Sequence, residues 1–129
     1  GDLFVIRVAG NMITSTGAAS IEYAAEHLGS KIVLVLGHER CGAVDAAFKG
    51  GDLPGHIPHL TDEIKPAVAA TENVKGDRLD ATVIKNVQFV VDRIKNLEPI
   101  LNKMVQEGEL KVLGARYDLD EGKVDFLED

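Results

Sequence analysis

The sequence predicts an α/β domain with a mainly parallel sheet flanked by helices and an antiparallel hairpin at its edge. Three observations carry this. Ile32 to Leu36 is an unbroken apolar run that ends at a glycine. A run so short reads as a strand buried on both faces, as in a parallel sheet covered by helices. Strand-like and helix-period stretches then follow one another in the order β-α-β-α-α-α-α-β-β, an α/β arrangement. Finally, Asp120-Glu121-Gly122 separates two strand-like stretches near the end of the chain, the signature of a hairpin.

Each element has its own justification. Leu3 to Val8 reads as a first strand whose only charge is Arg7, and Ala9-Gly10-Asn11 as a loop. Thr14-Ser15-Thr16 offers capping hydroxyls for a helix from about Gly17 to Leu28, with Ala18, Ile21, Ala25 and Leu28 on one face and Gly29 as its stop. The strand through Ile32 to Leu36 leads to His38 and Cys41. A short helix from Gly42 to about Phe48 ends at Gly50-Gly51. Asp52 to Pro58 is turn chemistry. The helical stretch from His59 to Glu72 contains Pro66, which predicts a kink or two shorter helices.

Asp80 to Leu97 is the clearest helix. Val83, Ile84, Val87, Val90, Val91, Ile94 and Leu97 form its apolar stripe, and Asp80 suits its N-cap. Pro99 fits the first turn of another helix ending at Gly108. Leu110 to Tyr117 and Lys123 to Leu127 form the hairpin strands.

The chain has 129 residues, 45% hydrophobic and 27% charged, which fits one globular domain over residues 1–129. A formal net charge of −7 argues against a nucleic acid or an anionic membrane as partner. No apolar run approaches the roughly 20 residues of a membrane span, and the first residues lack the pattern of a signal peptide. A lone cysteine excludes an internal disulfide. The expectation is a cytoplasmic protein.

The chemistry concentrates where the buried strand ends. In open α/β sheets, ligands bind outside the carboxyl ends of the strands. His38 and Cys41 sit at such an end, with two residues between them, and both suit a borderline-soft ion such as zinc. Cys41 also begins a helix, where the dipole favours an anionic ligand. The alternative is a small buried cysteine beside a hydrogen-bonded histidine. A phosphatase cradle would need arginine six residues after Cys41, where Ala47 stands. A cysteine hydrolase would need a third group to orient His38, and none is evident. His56 and His59 repeat the spacing and could complete a four-ligand structural site, or could belong to a solvated loop. Glu39 and Asp45 are nearby carboxylates whose default is a solvated position. Gly10-Asn11 could approach a ligand closely or simply turn the chain. A non-catalytic module with an anion pocket at the Gly42 helix N-terminus stays open beside the metal reading.

At these residues the sequence resembles the β-class carbonic anhydrases. The resembling pieces are GDLFVIRVAGN (Gly1 to Asn11), ASIEYAAEHLG (Ala19 to Gly29), LVLGHERCGAV (Leu34 to Val44) and YDLDEGKV (Tyr117 to Val124). The resemblance implies a zinc enzyme that interconverts carbon dioxide and bicarbonate. It makes His38 and Cys41 two of the three protein ligands to zinc, and Gly42 the glycine whose backbone lies beside the reaction site. It also implies a homodimer or higher homo-oligomer. The family's first cysteine lies in a Cys-x-Asp-x-Arg motif on a central strand preceding the segment that matches Gly1 to Asn11. That motif has no counterpart in this sequence. The expectation is therefore an N-terminally truncated relative with an incomplete site. It is either a carbonic anhydrase represented by a shortened chain, a catalytically inactive metal- or anion-binding relative, or a subunit whose site and sheet are completed by association.

Overall fold

The structure is a computed structural model that describes residues 1–128. Its elements run in the order α1 (Ser15–Glu26), β1 (Ile32–His38), α2 (Gly42–Lys49), α3 (Ile57–Ala70), α4 (Arg78–Lys95), α5 (Leu101–Gln106), β2 (Lys111–Tyr117) and β3 (Val124–Phe126), preceded by a 3-10 turn at Ala9–Asn11. The expected α/β architecture is present, on a small mixed sheet of order β1-β2-β3. β1 pairs with β2 in parallel from Ile32↔Lys111 to His38↔Tyr117. β2 pairs with β3 antiparallel from Ala115↔Phe126 to Tyr117↔Val124, giving the expected hairpin.

α4 packs against one face of this sheet and forms its core. Val83, Val87, Val90, Val91 and Ile94 of its apolar stripe are buried, and the central cluster joins the last four to Val35 of β1, Val112 of β2 and Ile21 and Ala25 of α1. Two strand glycines allow the close approach. A Cβ on Gly37 would lie 2.5 Å from Val87 Cγ2, and one on Gly114 would lie 2.9 Å from Val87 Cγ1. A second cluster joins Met12, Cys41, Val44, Ala47, Ile64 and Val83 beneath α2 and α3.

Four local expectations are corrected. Residues 3–8 form no strand, and Leu3, Phe4, Val5, Ile6 and Val8 all stay exposed. Apolar composition suits a strand, but a strand exists only by sharing a hydrogen-bond ladder with a neighbour, and these residues share no ladder with any other described residue. β1 is buried on one face only. Val35 and Gly37 are covered, whereas Ile32 is 62% exposed and Leu34 and Leu36 are each 42% exposed. α3 continues through Pro66 as one element, its buried residues Thr61, Ile64 and Ala67 on the face away from the exposed proline. The N-cap of α4 is Asp77, whose side chain accepts from the Asp80 amide at 3.0 Å, and not Asp80. Thr14 does cap α1, accepting from the Gly17 amide at 3.1 Å.

Candidate metal centre

β1 delivers His38 to the carboxyl edge of the sheet, and α2 begins three residues later with Cys41 as its N-cap. Between them the chain turns sharply, with Arg40 in the left-handed region at φ 52°, an uncommon conformation for a residue with a side chain. The His38 ring is held by its own loop: Nδ1 lies 2.8 Å from the Glu39 carbonyl. A carbonyl only accepts, so Nδ1 carries the hydrogen and Nε2 is left as the lone-pair nitrogen a metal would use. Cys41 is buried at 3% exposure against the second core cluster. Its cap is made by the backbone alone, through the Asp45 amide to the Cys41 carbonyl at 2.9 Å, so Sγ has no capping role. Gly42 is exposed, and a Cβ there would meet nothing within 4 Å.

The turn is tied to the hairpin by charge. The Glu39 amide donates to the Tyr117 carbonyl at 3.1 Å. Glu39 Oε1 accepts from the Leu119 amide at 2.8 Å, and Oε2 from Arg116 Nη2 at 3.2 Å. Arg116 Nε in turn donates to Asp80 Oδ1 at 2.6 Å. Arg40 makes a bidentate pair with Asp120 at 3.0 and 3.1 Å. The hydrogen bond to Asp80 leads in holding the Arg116 guanidinium above its ordinary value, with burial opposing and the charges of Asp80, Glu39 and Asp118 assisting. Glu39 is therefore a partly buried, fully engaged carboxylate and not a solvated one. Arg116 is the group that sequence reading missed, although an arginine directly after the apolar run Val112 to Ala115 was a signal.

Among the described residues, the one group of three or more histidine, cysteine or carboxylate ligand atoms within 4.8 Å of one another is Glu39, Asp118 and Asp120. Neither His56, His59 nor any carboxylate joins His38 and Cys41 in such a group. His56 and His59 stack on each other at the start of α3, 6.1 Å between centroids, and both are exposed. Asn11 lies over Gly37, where a Cβ would be 3.3 Å from its Oδ1, and its buried Nδ2 has no hydrogen-bond partner among the described residues. The cleft between α3 and α4 is lined by Met12, Pro66, Phe89 and Arg93 among others, and not by the ligand turn.

Residues 1–124 match the family model described as carbonic anhydrase. The chain belongs to the carbonic anhydrase family. Solved structures place it with the β-class. It superposes at a TM-score of 0.89 on one of the tetrameric β-carbonic anhydrases of Sordaria macrospora, with 25% identity over 100% of this chain and 70% of that one. It superposes at 0.82 on the Coccomyxa β-carbonic anhydrase in complex with acetazolamide, with 27% identity over 96% of this chain and 60% of that one. Carbonic anhydrase 2 of Mycobacterium tuberculosis is 33% identical over 95% of this chain. The carbonic anhydrase of Pseudomonas aeruginosa is 33% identical over 99%. The chain spans 61% and 63% of the lengths of these two relatives. The residues matched by the family model include β1, the ligand turn and β2. No helix among the described residues is long and apolar enough to cross a membrane.

Proposed function

We propose that this carbonic anhydrase-family chain serves the zinc-dependent interconversion of carbon dioxide and bicarbonate, with His38 and Cys41 as zinc ligands. The observation that supports the reading is the ligand turn itself. A histidine with Nε2 free and a cysteine whose sulfur has no capping role stand at a strand end that opens into a helix. Gly42 fits the same reading. The chain's own packing gives no reason for a missing side chain there, and a small substrate passing beside the backbone would.

The donors suit zinc in kind but not in number. An open catalytic site takes three protein ligands, and the turn offers two. The turn alone therefore makes no open catalytic site, and a third ligand would have to come from outside it, for example from a partner subunit. That count also favours the second reading, a catalytically inactive relative that retains metal or anion binding. The exposed apolar face of β1 supports a homodimer or higher homo-oligomer, as does the likeness to a tetrameric relative. The acidic charge and the lone buried cysteine support a cytoplasmic setting without nucleic acid or membrane partners.

Zinc content and isotope exchange between carbon dioxide and bicarbonate, measured on the purified chain, separate the readings. Stoichiometric zinc with rapid exchange supports the enzyme. Zinc without exchange supports the inactive relative, and no bound zinc defeats both metal readings. Cys41→Ser is expected to abolish zinc binding, and full retention would sink the site assignment.

A further inference from the structure

The ligand turn is short and conformationally demanding. Only Glu39 and Arg40 separate the two ligands, and Arg40 is left-handed. A strained turn persists when its surroundings over-determine it, and here the surroundings are identifiable. The Glu39 side chain is 13% exposed and that of Arg116 is 16% exposed, so their ion pair is shielded on both sides. Arg116 continues the chain to Asp80 in the first turn of α4. β2 and the core helix are thereby tied to the one residue adjacent to His38 and two before Cys41. The Arg40–Asp120 pair is much more exposed, and exposed pairs contribute little.

We propose that Arg116, acting through Glu39, is a positioning residue of the ligand turn. The Asp80–Arg116–Glu39 chain holds His38 and Cys41 in their ligand-presenting geometry and keeps the Cys41 thiol closed to solvent. The ligand-presenting part rests on the proposed metal site; the closing of the turn does not. Displacing Glu39 moves both ligands together, because no residue intervenes on one side and one on the other. Arg116 itself would touch neither metal nor substrate.

Cys41 is the only cysteine and is 3% exposed, so its reaction with an aromatic disulfide reagent reports opening of the turn without any metal. The intact chain is compared with Arg116→Met, Glu39→Gln, their combination, and Arg116→Lys. Each single loss is expected to raise the labelling rate on the order of tenfold, the effect of one charge-assisted hydrogen bond. The combination should react no faster than the faster single variant, and Arg116→Lys should fall between. Val90→Ala, which loosens the core face of α4 away from the turn, is the control, and rates are normalised by each variant's measured stability. Labelling of Arg116→Met at the wild-type rate would overturn the proposal. So would a rise that disappears on normalisation. If Arg116→Met does not fold, Glu39→Gln, which keeps the side chain's size, decides by the same criterion.

Cobalt(II) titration supplies the second readout. A Cys41-dependent thiolate band that appears at about tenfold higher cobalt in Arg116→Met supports ligand positioning. An unchanged titration in a variant with faster labelling overturns that part. If the wild-type chain gives no such band, the metal reading fails and the labelling rates alone decide whether Arg116 holds the turn.

Discussion

Asp118 closes the hairpin turn through its side chain, Oδ1 accepting from the Asp120 amide at 2.9 Å and the Glu121 amide at 2.8 Å. The Glu121 hydrogen bond leads in holding its carboxyl below the ordinary carboxylate value. Burial opposes, and the Asp120 amide and the charges of Arg116 and Arg40 assist. The sign of the linkage follows. A carboxyl depressed in the folded state binds its proton less readily there than in the unfolded chain. Its contribution is therefore present above the unfolded value and lost as pH falls through the folded one. Carbon-detected titration of Asp118 should give a midpoint below that of an unstructured aspartate. Asp118→Asn should remove that portion of the acid dependence, and a midpoint at the ordinary value would contradict the turn's role. The sequence shows a turn at Asp120-Glu121-Gly122, but Asp118's role depends on two amides that face it only once the turn is closed.

At the scale of elements, Gly37 and Gly114 set how closely α4 can approach the sheet. Gly37→Ala forces a methyl against Val87, and overpacking of this kind costs typically about 1–3 kcal/mol. Denaturant unfolding should show that loss, and adding Val87→Ala should recover part of it by clearing the space. A sum of two independent losses would show that the Gly37–Val87 approach does not limit packing. The α4 stripe was legible because a 3.6-residue period needs no knowledge of the partner surface. Its N-cap was misplaced because Asp77 and Asp80 are both competent caps, and the choice depends on Arg116, which recruits Asp80 instead. Asp77→Ala should accordingly cost about 1 kcal/mol in thermal unfolding. The ligand pair was legible for a related reason: His38, Cys41 and Gly42 are adjacent in sequence, and a strand end needs only its own residues to be recognised. The Glu39–Arg116 link joins residues far apart along the chain, and periodicity carries no information about such a pair. Residues 3–8 failed for the same reason, since strand identity depends on a partner and not on composition.

The whole molecule has one covered and one open sheet face. Residues paired in a parallel ladder lie on the same face, so Ile32, Leu34 and Leu36 share theirs with Lys111, the partly buried Leu113 and the buried Ala115. Phe126, opposite Ala115 on β3, extends it and is 64% exposed. Monomeric proteins seldom leave a contiguous apolar surface of this kind in water, and β1 also has a strand edge with no ladder partner among the described residues. The fold class was readable from element order, whereas the open face was not: five apolar residues in a row suggest cover on both sides without saying which chain provides it. Self-association through this face would remove Leu34, Leu36 and Phe126 from water together. Sedimentation velocity of the wild-type chain is expected to show a dimer or larger species whose population rises with concentration. Leu34→Glu combined with Phe126→Glu should shift it to monomer, because burying two like carboxylates at a self-complementary contact is strongly unfavourable. The covered face is untouched by these changes, so the α4–sheet core should retain its circular dichroism spectrum. A wild-type chain that stays monomeric at all concentrations, or a double variant that assembles as before, would remove this face as the site of association.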